Sequence, residues 1–146
     1  MNSAQLTGNI GLFYACYQLS LRDWNALPTC RNAKGADIIC VKGKKRFGIQ
    51  VKALSSQSDV PLGRGELDES VDFWAVIMNV RDDEKRKVFI IPQEDIRCEI
   101  QKYMQDNIND LTGLIGRDKA GFWMGNKFLR TGQHNYADAW QCLEEE

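Results

Sequence analysis

The stretch that decides the fold runs from Gly35 to Ala53 and reads Gly-Ala-Asp-Ile-Ile-Cys-Val-Lys-Gly-Lys-Lys-Arg-Phe-Gly-Ile-Gln-Val-Lys-Ala. It contains two short apolar runs, residues 38–41 and 47–51, on either side of a basic turn that includes Gly43. β-Branched residues that flank a polar, glycine-containing turn are typical of a β-hairpin. We therefore expect two antiparallel strands here.

Three polar side chains are placed so that the hairpin can gather them at one end. Asp37 comes just before the first strand, whereas Gln50 and Lys52 lie two residues apart on the second and so share one face. Mg²⁺ binds carboxylates and other oxygens while keeping several waters. A lysine beside it can orient an attacking water or stabilise charge on a phosphate. The alternative is that Asp37 only caps a turn and Lys52 is a solvated lysine at a strand end.

At these positions the sequence resembles the PD-(D/E)xK nuclease superfamily, in which an Asp at a strand start is followed on the next strand by (D/E)-x-K. Here the Asp is Asp37 and the second half reads Gln50-Val51-Lys52. The resemblance covers roughly the first half of the chain, to about residue 56. It implies a metal-dependent DNA endonuclease with a variant D…QxK site, similar to small Holliday-junction resolvases and intron-encoded homing endonucleases.

The resemblance also assigns roles to these residues. It implies that Asp37, Gln50 and Lys52 are catalytic, and that Asp37, Gln50 and the Val51 carbonyl bind Mg²⁺ or Mn²⁺. Lys52 would position the water or the scissile phosphate. Nucleases of this kind usually act as homodimers or higher homo-oligomers, and the aromatic C-terminal third is the candidate interface.

Two acids expected from the family are absent. Gln50 stands in the (D/E) position, and Leu12 stands where many members carry a Glu on the first helix. The site therefore has less negative charge to hold a divalent cation, unless an acid from the following loop (Glu66, Asp68 or Glu69) contributes. The alternative function is a catalytically inactive nuclease-fold module that binds DNA or a protein partner. A third possibility is an unrelated fold in which Asp37 and Lys52 lie far apart.

The rest of the chain supplies the other elements of an α/β fold. A helix is predicted from about Gly8, capped by Thr7, with a buried stripe at positions 10, 13, 14, 17, 21 and 24. Residues 25–29 are predicted to form a turn around Pro28. Residues 73–80 and 87–91 predict a second hairpin whose first strand is covered on both faces, and residues 93–105 a helix. This order resembles the αβββαβ-type core of the same superfamily, and the resemblance implies a restriction-endonuclease-like mixed sheet flanked by helices.

The C-terminal region has a different composition. Residues 107–132 combine glycines with basic residues and with the aromatic residues Phe122, Trp123 and Phe128. They either form a nucleic-acid contact arm or pack on the core or at an interface. Residues 134–143 predict a last helix with Tyr136, Trp140 and Leu143 inward. We interpret residues 1–146 as a single nuclease-like domain with 107–146 as a C-terminal extension.

Two sets of residues are candidates for DNA contacts. The hairpin turn carries Lys44, Lys45 and Arg46, which can bind phosphates. The loop after Lys52 carries the polar side chains Ser55, Ser56 and Gln57, which can donate to phosphate oxygens or form a plain surface loop.

Bulk composition sets the remaining limits. The chain has 146 residues, 43% of them hydrophobic and 27% charged, which is typical of one globular domain. Its net charge of −1 means that DNA binding would depend on a local patch. No signal peptide or membrane-spanning run is visible, so we expect a cytoplasmic protein. Five scattered cysteines indicate reduced thiols, with Cys16 and Cys40 as small core residues.

Overall fold

The structure is a computed structural model that describes residues 3–30, 35–106, 115–118, 121–125, 128–129 and 135–145. The helices that can be delimited within these ranges are α1 Ser3–Leu21, α2 Gln93–Asp106 and the short 3₁₀ helix Trp140–Leu143. Eight strands accompany them: β1 Asn25–Pro28, β2 Ile38–Lys42, β3 Lys45–Ala53, β4 Val60–Gly63, β5 Phe73–Met78, β6 Lys87–Pro92, β7 Ile115–Asp118 and β8 Gly121–Met124. None of the helices described is long and apolar enough to span a bilayer.

The main sheet has five strands in the order β1-β2-β3-β5-β6. β2 and β3 form the expected hairpin, in which Ile38 pairs with Ile49. β5 and β6 form the second hairpin, and β5 runs parallel to β3 with Ile49 opposite Phe73. The mixed sheet with flanking helices confirms the predicted fold class.

Each face of the sheet carries its own apolar core, as the apolar run in β5 predicted. On one face, Ala75 and Ile77 pack with Ala15 and Leu19 of α1. On the other, the residues that alternate with them pack beneath α2 and a second, three-stranded sheet of order β4-β8-β7. β5 is thus buried on both sides, which explains why its sequence is almost continuously apolar.

The buried face of α1 differs from the prediction. The helix begins at Ser3, so Thr7 lies inside it, and its buried residues are Thr7, Gly11, Ala15 and Leu19. Phe13 and Tyr17, which were expected in the core, are 62% and 59% exposed. Small residues let the helix lie close against β3, and a methyl group on Gly11 would overlap the Ala53 side chain. The large residues are consequently on the outer side.

The turn predicted around Pro28 is also wrong, because Asn25–Pro28 form strand β1, which pairs antiparallel with β2. β1 is at the edge of the sheet. A proline is tolerated in an edge strand, where its missing N–H does not interrupt a ladder between two neighbours.

The described part of the C-terminal region packs on the core. Phe122 and Phe128 are buried in the cluster beneath the second sheet, as is Tyr136. The inward positions predicted for Tyr136, Trp140 and Leu143 are confirmed, but within the described residues 135–143 the predicted helix is reduced to the 3₁₀ turn Trp140–Leu143. Lys119, Lys127, Arg130 and His134 lie outside the described residues.

None of the five cysteines, all of which are described, forms a disulfide. Cys40 is fully buried on the α1 side of the sheet, and burial raises the pKa of its thiol to about 11. Cys40 is therefore a packing residue, as predicted.

The contact between α1 and β3 can be tested with two glycines of the same helix. Gly8→Ala adds a methyl group where nothing lies within 4 Å, so the better helix propensity should stabilise the protein by about 0.5–1 kcal/mol. Gly11→Ala gains the same propensity but pushes the helix from Ala53, which should cost about 1–3 kcal/mol. Urea unfolding of the two variants measures the difference, and equal stability would contradict the close contact.

Candidate active site

Asp37 lies at the end of the β2–β3 hairpin where the sequence predicted the polar patch. Its main-chain N–H donates to the Ile49 carbonyl at 2.9 Å. Its side chain reaches along the neighbouring strand, where Oδ2 accepts the Val51 N–H at 2.8 Å. Because Val51 separates Gln50 from Lys52, the carboxylate lies against the Gln-Val-Lys segment. The possibility that Asp37 and Lys52 lie far apart is excluded.

The three residues of this segment point in different directions. Val51 packs towards α1, whereas Gln50 and Lys52 alternate with it and are half-buried on the opposite face. The N–H and C=O of one strand residue point to the same edge of the strand. The Val51 carbonyl therefore faces the edge at which the Asp37 carboxylate lies. Among the described residues, Asp37 Oδ1 accepts no hydrogen bond.

A loop before β5 holds this end of the hairpin in place. Asp72 Oδ2 accepts the Gly48 N–H at 2.8 Å, and the Asp72 N–H donates to the Gly48 carbonyl at the same distance. Ser70 Oγ accepts the Ala36 N–H at 3.2 Å. A methyl group on Gly48 would overlap the Ser70 carbonyl, so only glycine lets the loop cross β3 here. The loop thereby fixes the main chain just before Asp37.

Trp74 lies beneath the lysine of the segment. The Lys52 ammonium is 5.7 Å from the centre of the Trp74 ring, within the range of a cation–π contact. Lys52 forms no ion pair with an acid in the part of the chain that the structure describes. The aromatic ring is thus the contact that orients its side chain.

Gln93 in turn holds Trp74. The indole Nε1 of Trp74 donates to Gln93 Oε1 at 2.9 Å, and Gln93 Nε2 donates to the Asp68 carbonyl at 2.8 Å. Gln93 is 3% exposed, and Trp74 is 5% exposed. Neither residue is predicted from the sequence as part of the site, although a Gln directly after Pro92 and before an apolar helical stripe is a usable signal.

Of the three acids proposed to complete a metal shell, Asp68 and Glu69 have other partners, whereas Glu66 is exposed. Asp68 accepts the hydroxyl and N–H of Ser70, and these hydrogen bonds hold the pKa of its carboxyl below the usual value. Glu69 forms an ion pair with Arg97 at 3.3 Å. Leu12 is half-buried and packs in the core between α1 and the sheet. Within the described ranges, no three His, Cys, Asp or Glu side chains are grouped to hold a metal ion.

The two sets of candidate DNA-binding residues lie at opposite ends of the hairpin. Ser55, Ser56 and Gln57 are exposed and follow β3 directly, at the end that carries Lys52. Arg46, the basic-turn residue nearest to Lys52, precedes it by six residues along β3, roughly 20 Å at 3.3 Å per residue.

Two lysines of the basic turn, Lys42 and Lys45, are already engaged by Glu144. The Lys45 ammonium donates to the Glu144 carbonyl at 2.6 Å, and Lys42 pairs with the Glu144 carboxylate at 2.7 Å. Lys44 and Arg46 are exposed. DNA contact by these residues stays a prediction.

The sequence matches no known protein-family profile and none of the curated proteins with which it was compared. Among solved structures, the chain is similar to the bacterial homing endonuclease I-Ssp6803I. The two align over 97% of this chain and 93% of the other, with a TM-score of 0.62 and 15% sequence identity. The likeness extends over nearly the whole chain and shows that the fold is that of an endonuclease-like protein.

The hydrogen bond between Trp74 and Gln93 can be tested with a double-mutant cycle. Gln93→Leu leaves the buried Trp74 N–H and the Asp68 carbonyl without a partner, so we expect a loss of about 1–3 kcal/mol in unfolding free energy. Trp74→Phe should cost less in the Gln93→Leu background than in the wild type, because the N–H has then already lost its acceptor. Urea unfolding of the four proteins measures this coupling. Strictly additive losses would contradict the hydrogen bond.

Proposed function

We propose that the protein is a metal-dependent DNA endonuclease of the PD-(D/E)xK type, with Asp37, Gln50 and Lys52 as its catalytic residues. The observation that carries the proposal is the Asp37 carboxylate bound to the Val51 N–H between Gln50 and Lys52. The fold shared with a homing endonuclease over almost the entire chain supports it. A motif match alone would be weak, but here its residues meet on a fold of the expected kind.

The donor atoms at this position suit a hydrated Mg²⁺ or Mn²⁺. They are Asp37 Oδ1, the amide oxygen of Gln50 and the carbonyl of Val51, which are one anionic and two neutral oxygens. Mg²⁺ usually keeps several waters and takes one or two carboxylates, so this set fits a loosely held ion whose shell is completed by water and DNA phosphate. When bound, the cation would neutralise phosphate charge and lower the pKa of a bound water.

Besides the metal ion, the Lys52 ammonium would supply positive charge at the phosphate. In hydrolysis of a phosphodiester, a water oxygen bonds to phosphorus while one ester P–O bond breaks. The water releases its proton and the leaving oxygen takes one up. The Lys52 ammonium, held over the Trp74 ring, would donate a hydrogen bond to a phosphate oxygen and stabilise the charge that builds there.

We place the DNA at the end of the hairpin that carries Asp37. Ser55, Ser56 and Gln57 lie there and would contact the backbone phosphates on either side of the cut. The basic turn with Lys44, Lys45 and Arg46 would be reached only by DNA that runs along the hairpin. We further propose that the chain acts as a homodimer or higher homo-oligomer, because one site cuts only one strand.

A second candidate function is a nuclease-fold module that binds DNA or a protein partner without cleaving DNA. The observation in its favour is that the described residues contain no group of three side chains able to hold a metal ion, while Asp68 and Glu69 have other partners. The two functions differ in whether Asp37 and Lys52 are needed for DNA cleavage or only for binding.

Cleavage of supercoiled plasmid and branched DNA with Mg²⁺ or Mn²⁺ tests the proposal. Asp37→Asn keeps an oxygen for the Val51 N–H but removes the charge, and Lys52→Ala removes the ammonium. We expect each to lower the rate by about 100-fold or more with the fold intact. Lys85→Ala, an exposed lysine in the turn before β6, is the matched control and should cleave like the wild type.

Unchanged cleavage in Asp37→Asn or Lys52→Ala would refute the assignment of these residues. DNA that is bound but not cut by the folded wild type, with either metal, would favour the binding module.

Metal binding separates the two functions independently of the DNA substrate. Gln50→Glu restores a carboxylate beside Asp37, so we expect Mg²⁺ or Mn²⁺ to bind about tenfold more tightly than to the wild type. Calorimetry with each metal measures the change, and Gln101→Glu on the exposed side of α2 controls for added charge. Absence of binding in both the wild type and Gln50→Glu would count against a metal site.

A further inference from the structure

The outer side of α1 carries large apolar residues. Leu6, Phe13, Tyr17 and Leu21 are 38%, 62%, 59% and 60% exposed, and together with the half-buried Ile10 we name them the outer stripe. Successive helical residues turn by about 100°, so these positions form a band some 80° wide along the helix. The band points away from Gly11 and Ala15, which face the sheet. Of its members only Ile10 also packs against the core on the α1 side of the sheet.

The helix also lacks charge. Between Ser3 and Leu21 there is no Asp, Glu, Lys or Arg, although 27% of the whole chain is charged. A solvated helix normally carries charged residues on its outer face. A partner that recognises charge would find nothing to bind on this helix, whereas an equally uncharged apolar surface would be complementary to it.

We propose that the outer stripe is the surface through which two copies of this chain pair, with their α1 helices packed antiparallel about a two-fold axis. In such an interface the same surface patch of both copies is in contact, so residues near the two-fold axis lie opposite their own counterparts. A charged stripe would place like charges opposite each other, and the absence of charge on α1 avoids this. The proposal deepens the proposed function, on which it rests for its purpose, because two sites are needed to cut both strands.

The spacing of the stripe suits this pairing. Phe13 lies seven residues after Leu6 and eight before Leu21, and three after Ile10 and four before Tyr17. With Phe13 near the axis, Leu6 would meet Leu21 of the second copy, and Ile10 would meet Tyr17. The intervals of three and four residues are those of helices that pack with a shallow crossing angle.

The size of the stripe sets the expected affinity. A helix of 19 residues is about 28 Å long. A single pair of such helices lies at the low end of specific interfaces, below roughly 1,200 Å² in total. We therefore expect a reversible dimer with a micromolar dissociation constant, which two chains on one DNA molecule would strengthen.

Sedimentation of the protein over about 1–200 μM tests this interface. Phe13→Lys and Phe13→Glu each place like charges across the axis, so each variant alone should dimerise about tenfold or more weakly than the wild type. An equimolar mixture of the two variants should restore the dimer, because the ammonium of one copy then meets the carboxylate of the other across the axis. Met104→Lys and Met104→Glu, on an exposed methionine of α2, should leave the dimer unchanged.

A wild type that stays monomeric throughout this range would overturn the proposal. So would a dimer that is insensitive to the changes at Phe13 or is not restored by mixing. Circular dichroism confirms that the variants are folded, since Phe13 is largely exposed. Because sedimentation does not depend on cleavage, a dimer that cuts no DNA would refute the proposed function alone, whereas a monomer that cuts DNA would refute this interface alone.

Discussion

The absence of a side chain at Gly48 is the constraint on which the rest of this site depends. It lets the loop before β5 cross directly over β3, with the Ser70 carbonyl where a Cβ would lie. From this crossing, Asp72 binds the Gly48 main chain and sets the parallel register of β3 with β5. Ser70 binds the Ala36 N–H, just before Asp37. The close approach at Gly48 thus holds the start of β5 and the residue before Asp37 against β3, the strand that carries Gln50 and Lys52.

The same loop also acts on the lysine through a buried polar chain. The Asp68 carbonyl accepts from Gln93, which accepts from Trp74, and the Trp74 ring lies against the Lys52 ammonium. A buried polar group without a partner costs free energy, so these residues are held in the arrangement that keeps every hydrogen bond. The position of Lys52 is therefore determined by residues far along the chain, even though its strand neighbour Asp37 is close in sequence.

Local sequence signals predicted the parts of this fold that depend on short-range pattern. Alternating β-branched residues on either side of a glycine turn gave the β2–β3 hairpin, and strand periodicity gave Gln50 and Lys52 a common face. The sequence predicts the presence of helix α1 correctly but its buried face wrongly, because large apolar residues are expected in the core. The buried face is decided by Gly11 and Ala15, whose small size lets the helix lie close to β3. This contact depends on both elements and not on the helix sequence alone. Trp74 and Gln93 were missed for the same reason, since their partners are distant in the chain.

The strand order has a consequence for how the protein behaves in a crowded solution. All three prolines of the chain lie in edge strands: Pro28 in β1, Pro92 in β6 and Pro61 in β4. The outer side of β6 is also covered. The Ile90 N–H donates to the Tyr136 carbonyl, and the Asp138 N–H donates to the Val88 carbonyl. Edges that lack donors or are already paired are poor templates for a strand of another molecule. Edge-to-edge pairing of two molecules through β1, β4 or β6 is thereby disfavoured.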